Sequence, residues 1–200
     1  IRRQVIEQGR RRIASRLAGK VTRVVLDAVA VANLGHHFQI VLGALRQTLR
    51  RLKLDLGPAD AVVFPECAYP TYEVGALTAT SRPVPLDDPA RIPDDARLIW
   101  INSPANPHGS IMSPEQLADW VRYCRERGSV LAADECYGEF GWTAEPVSIL
   151  HPSVNGGSLE GLLELHALSK RSNAAGYRAG FVAGDPDLVS DLREVRKHAG

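Results

Sequence analysis

Several things are scarce in this chain, and each scarcity removes a class of function. Only three cysteines occur in 200 residues, Cys67, Cys124 and Cys136, with no C-x-x-C pair and no zinc-ligand spacing. That excludes a disulfide framework and a zinc module, and it suits a reducing compartment. No apolar run approaches the roughly 20 residues of a membrane-spanning helix. The basic start lacks the apolar centre of a signal peptide. The net charge is +1, so the whole molecule exerts no strong pull on nucleic acid or membrane. There is no internal repeat and no low-complexity tract.

Charge is uneven all the same. Arg2, Arg3, Arg10, Arg11, Arg12, Arg16, Lys20 and Arg23 crowd the first segment. No aromatic residues interleave with them as a base-stacking surface requires, so they read as a solvated helix face rather than a nucleic-acid arm. Adjacent His36 and His37 would point apart on a helix and do not form a metal pair.

What is present alternates. Short apolar runs at Ala61–Phe64, Arg97–Asn102, Val130–Ala133, Leu162–Ala167 and Ala179–Ala183 read as buried strands. Between them, Pro114 to Glu126 carries Leu117, Trp120, Val121 and Cys124 at helical spacing. Ser113 is its N-cap, Pro114 its first residue, Gln116 the capping-box partner and Gly128 its terminator. A charged helix opens at Asp185 or Pro186 and runs toward His198. The Pro- and Asp-rich stretch from Pro83 to Asp95 reads as an exposed connection, and Val154 to Leu159 as a Gly-containing loop. Strands alternating with helices give an α/β fold, three layers in α/β/α order around a mostly parallel sheet. In such sheets ligands bind beyond the carboxyl ends of the strands.

Polar residues gather at those ends. Lys170 closes an apolar run, and a lysine there can become a nucleophilic amine. Arg178 lies between Gly176 and Gly180, where a guanidinium suits a phosphate dianion. Asp134 follows a buried run and needs either a cationic partner or a helix N-cap role. Tyr137 lies three residues on. Asn106 sits in the N-P-x-G loop, a fixed turn, and Tyr69 is held among prolines where its ring can present a flat face. Each motif alone also has a structural reading: a surface lysine, a turn, a core aromatic.

Taken in order, the P-x-x-x-Y-P loop, the N-P-x-G loop, the D-E-x-Y strand end and the S-K…G-x-R-x-G segment resemble the class I/II aminotransferases, which are fold-type I pyridoxal-phosphate enzymes. The resemblance runs from about Leu54 to Gly200. The segments 65–76, 134–152 and 168–186 look closest to the bacterial N-succinyldiaminopimelate aminotransferases of lysine biosynthesis.

The resemblance implies roles. Lys170 attaches pyridoxal 5'-phosphate and moves the proton, and Asp134 pairs with the ring nitrogen. Asn106 and Tyr137 bond the ring oxygen, Tyr69 stacks on the ring and Arg178 holds the phosphate. It implies an amino acid and a 2-oxo acid as substrates, a homodimer, a cytoplasmic location, and no nucleic-acid or membrane partner. It places the large-domain core at 54–200, sets apart a basic helical segment at 1–53, and leaves the family's small C-terminal domain missing. Ala167 stands where the family has a phosphate-binding hydroxyl, His108 replaces a small hydroxyl residue, and Gly35-His36-His37 replaces a phosphate-binding turn. Two other readings stay open: a different pyridoxal-phosphate reaction such as elimination, and a non-catalytic remnant that binds or dimerises.

Overall fold

The computed structural model describes residues 56–177 and 179–198. The basic segment 1–53, His36 and His37 therefore lie outside the described residues, and so does Arg178. In chain order the elements are β1 (Ala61–Phe64), α1 (Thr71–Thr78), β2 (Arg82–Pro85), β3 (Ala96–Asn102), α2 (Pro114–Arg127) and β4 (Val130–Asp134). Then come α3 (Pro152–Asn155), β5 (Leu162–Ala167), α4 (Leu168–Arg171), β6 (Gly180–Gly184) and α5 (Pro186–His198). Single 3-10 turns sit at Pro89–Arg91 and Ala175–Tyr177.

The strands form one sheet in the order β2-β1-β3-β4-β5-β6. All neighbours are parallel except β5 and β6, which run antiparallel. The core divides by the two-residue period of a strand. Val62, Leu98, Trp100, Ala132 and Leu163 face α1 and α5, where Tyr72, Ala76, Leu188 and Leu192 complete one cluster. Val63, Ile99, Ile101, Leu131 and Leu162 face α2 and α3, where Leu117, Trp120, Val121 and Val154 complete the other. This is the three-layer α/β/α arrangement that the alternating pattern implies.

Helix α2 forms as its sequence dictates. The Gln116 N–H donates to Ser113 Oγ (3.3 Å) and the Ser113 N–H donates to Gln116 Oε1 (2.8 Å). Gly128 ends the helix in the left-handed region at φ 63°.

Three stretches depart from expectation. The stretch read as an exposed connection contains β2, although Arg-Pro-Val-Pro is a poor strand sequence. Among the described residues it is an edge strand, paired on one side, and an edge tolerates prolines that lack an N–H. Helix α1 has no apolar stripe, because its buried positions are Tyr72, Gly75 and Ala76, two of them small. The segment read as the loop 154–159 begins inside α3 and turns through Gly156 and Gly157, both at positive φ.

The crossover β1–α1–β2 runs toward one edge and the later crossovers run toward the other. The strand order reverses between β1 and β3, so the crevice at their carboxyl ends is the topological switch point.

Candidate active site

Four strand ends deliver side chains to this edge. After β1 the chain passes Pro65 and Tyr69 before entering α1, and the Tyr69 ring is 58% exposed. One turn further on, Tyr72 is buried at 2% exposure. Its ring packs on Trp100, with centroids 5.5 Å apart. Its hydroxyl donates to Asp134 Oδ2 at 2.9 Å. Burial, followed by the neighbouring Asp134 carboxylate, raises the Tyr72 hydroxyl far above the ordinary tyrosine range. Tyr72 is therefore a permanent neutral donor.

Asp134 ends β4. Its second oxygen, Oδ1, accepts the Cys136 N–H at 3.1 Å. The protein thus supplies one donor to each carboxylate oxygen, which fixes the carboxylate plane. The half-buried group sits where its remaining lone pairs can meet a ligand.

Asn102 ends β3, level with Asp134 in the sheet register. Its buried amide donates to the Asp134 carbonyl (2.8 Å) and to the Pro104 carbonyl (3.1 Å). Its Oδ1 accepts the Asn106 N–H at 2.7 Å. The side chain of Asn102 therefore ties the loop bearing Asn106 to the strand bearing Asp134.

Lys170 lies in α4, directly after β5. Its side chain is exposed, and Nζ stands 5.4 Å from the centroid of the Tyr137 ring. Between Asp134 and Tyr137 lies Cys136. Desolvation and the Asp134 charge push its thiol up, and the Lys170 charge opposes them. Tyr72, Asp134, Cys136, Tyr137 and Lys170 thus share one electrostatic neighbourhood.

The two glycines flanking Arg178 in sequence have different surroundings. Gly176 has open space where a Cβ would stand, whereas a Cβ on Gly180 would lie 2.5 Å from the His166 carbonyl oxygen of β5. Gly180 is required by strand packing.

The opposite sheet face holds a second polar group. Glu135, Glu164 and His166 are all buried, and each brings one ligand atom within 4.8 Å of the others. That donor set has the spacing of a metal site. Glu135 Oε1 accepts the Ile149 N–H (2.8 Å), and the His166 ring stacks on Phe181 with centroids 5.2 Å apart. Burial and the neighbouring Glu164 raise the Glu135 carboxyl well above its usual range, against the Ile149 bond that lowers it. A cavity of about 380 Å³ opens above these three residues and also reaches Glu139, Glu145 and Arg171.

Of the residues singled out in the sequence, Asp134, Tyr137 and Lys170 converge, and Asn106 is joined to them through Asn102. Tyr69 stands at the same edge. Tyr72 and Asn102 were not singled out, although the first lies in the same Y-P-T-Y segment and the second ends the R-L-I-W-I-N run. All three cysteines are free thiols, with Cys124 buried, Cys67 exposed and Cys136 between them. No helix among the described residues is long and apolar enough to cross a membrane.

The fold is a doubly wound α/β domain whose carboxyl edge gathers a carboxylate, an amine and three tyrosines. Residues 41–199 match the family Aminotransferase class I and II. The chain belongs to that family. It is 50% identical over 148 residues to the 4-dedimethylamino-4-oxo-anhydrotetracycline transaminase OxyQ of Streptomyces rimosus, which covers 74% of this chain and 41% of the relative. It is 51% identical over 148 residues to a probable aminotransferase of Mycobacterium tuberculosis, covering 74% of this chain and 35% of that one. The fold superposes on a probable N-succinyldiaminopimelate aminotransferase of Thermus thermophilus with a TM-score of 0.78 and 27% identity, over 96% of this chain and 51% of that one. The chain thus spans less than half the length of the two curated relatives.

Proposed function

We propose that this chain is the cofactor-binding part of a pyridoxal-phosphate-dependent aminotransferase, which moves an amino group between an amino acid and a 2-oxo acid. The observation that carries the reading is Asp134. Tyr72 and Cys136 clamp its carboxylate at the switch point, in the same electrostatic neighbourhood as Lys170. A carboxylate held in one plane beside a primary amine and flat aromatic rings fits a cationic heteroaromatic aldehyde.

Bound there, pyridoxal 5'-phosphate supplies an electron-withdrawing ring that takes up charge when a substrate C–H bond breaks. The family likeness suggests the protein's own tasks. Asp134 would accept a hydrogen bond from the ring nitrogen and favour its protonated form. Lys170 Nζ would hold the cofactor and, once displaced by the incoming substrate amine, would be the free base that carries the proton of the substrate α-carbon. By that likeness Tyr137 and Asn106 would bond the ring oxygen, Tyr69 would cover one ring face, and Arg178 would meet the phosphate. Ala167, whose buried site offers no hydroxyl, leaves the phosphate one donor fewer. The core of this unit is the region 54–200, paired with a second copy of the chain and working in the cytoplasm.

The substrate reading is N-succinyldiaminopimelate, supported by the segment likeness and by the Thermus thermophilus structure. A second reading rests on the higher identity to OxyQ, whose name describes amino transfer to an anhydrotetracycline ketone. The test is amino transfer with pyridoxal phosphate present, offering each candidate with a range of amino-group partners. Turnover of the succinylated diamino acid alone supports the first reading, and turnover of the polycyclic ketone alone supports the second. Reaction without any amino-group partner overturns transamination itself.

A further inference from the structure

Lys170 and Arg171 are neighbours in α4, yet their side chains have opposite surroundings. Lys170 is exposed beside Tyr137 at the candidate active site. The Arg171 side chain is only 7% exposed and reaches the cavity on the other face. There its Nη2 stands 3.1 Å from Oε1 of Glu139, a side chain 29% exposed. Glu139 follows Tyr137 by two residues.

We propose that Arg171 is a positioning residue: through Glu139 it clamps the turn that carries Lys170 to the loop that carries Tyr137. This rests on the cofactor role proposed above for Lys170.

Both segments need such a clamp. Helix α4 has one turn, too short to hold itself. It is also tied by the Leu168 N–H donating to the Ala179 carbonyl (2.9 Å), by the Ala174 N–H donating to the Leu168 carbonyl (3.3 Å) and by burial of Leu168. The loop after β4 is a pair of tight turns, closed by Gly138 N–H to Glu135 and Phe140 N–H to Tyr137. The ion pair joins these short pieces on the back of the chemistry, where it does not compete with a ligand. The cavity suits a guanidinium, because Glu145 and Glu164 line it together with Glu139. A planar fork of donors can serve Glu139 and remain within that acidic wall, which a lysine ammonium matches poorly.

The test is amide hydrogen exchange on the cofactor-free chain, comparing wild type with Arg171→Met, Arg171→Lys, Glu139→Gln and the Met/Gln double variant. Exchange is expected to rise about tenfold in both 136–141 and 168–174 in the Met and Gln variants, the order of change for losing a partly buried ion pair. The double variant should be no worse than either single one, and Lys should restore part of the protection. Strands β3 and β4 should keep their protection. If Arg171→Met loosens the whole sheet, Glu139→Gln decides, because it leaves the guanidinium in its acidic cavity. A rise confined to the mutated segment, or additive effects in the double variant, overturns the clamp. In parallel, borohydride labelling of Lys170 at sub-saturating pyridoxal phosphate should fall severalfold in the Met variant. Coupled exchange with no label on wild-type Lys170 overturns the positioning role together with the cofactor reading, and leaves the ion pair standing.

Discussion

Replacing Tyr72 by Phe removes one atom and tests how Asp134 is held. The ring stays packed on Trp100, so the aromatic contact and nearly all the buried area survive. What disappears is a 2.9 Å hydrogen bond from a neutral hydroxyl to a carboxylate. Bonds to charged groups contribute about 1.5–3 kcal/mol. Asp134 is half-buried, so water can replace part of the loss, and the lower end, about 1.5 kcal/mol, is the expected cost. For a chain of this size that corresponds to a fall of roughly 3–6 °C in Tm. Stability alone does not show which partner matters, so the assay is a double-mutant cycle in urea with Asp134→Asn. A coupling energy of about 1 kcal/mol or more is expected between the two sites. Coupling within about 0.3 kcal/mol of zero would mean that Tyr72 packs without holding the carboxylate, and the proposed clamping of Asp134 would be wrong.

Three further outcomes follow from the same structure. Asn102→Ala leaves the Asp134 and Pro104 carbonyls and the Asn106 N–H without their shared partner, so urea unfolding should show a loss of about 2–3 kcal/mol. Gly180→Ala drives a Cβ against the β5 backbone and should cost about 1–3 kcal/mol by thermal denaturation, while Gly176→Ala, which meets open space, should be close to neutral. Glu135 titrates above its unfolded value of 4.5, so its contribution to stability is fully present below that pH and declines as pH rises through the folded value. Glu135→Gln keeps an oxygen for the Ile149 N–H and should flatten that decline in denaturation curves measured across pH.

Much of this architecture was legible because it rests on local signals. Helix α2 declares itself through Ser113, Pro114, Gln116 and Gly128, and five strands through short, mainly apolar runs. Asp134 and Lys170 stood out because a charge at the end of such a run needs a reason. The pieces that escaped depend on tertiary context. Strand β2 exists because β1 offers a free edge, not because Arg-Pro-Val-Pro favours extension. Helix α1 buries small residues, so its pattern has no stripe to detect. Tyr72 reaches Asp134 across 62 residues of sequence, and Arg171 reaches Glu139 across the sheet edge. Neither long-range pairing leaves a mark on the one-dimensional pattern.

The central claim is that Lys170 is the amine that takes the cofactor. The most direct measurement adds pyridoxal phosphate to the chain, records the visible absorption, reduces with borohydride and locates the label by peptide mass. The account predicts a visible band that borohydride abolishes, with the label on Lys170, and no such band in Lys170→Ala. A folded sample with no band, or a label on some other lysine while Lys170→Ala behaves as wild type, would contradict it.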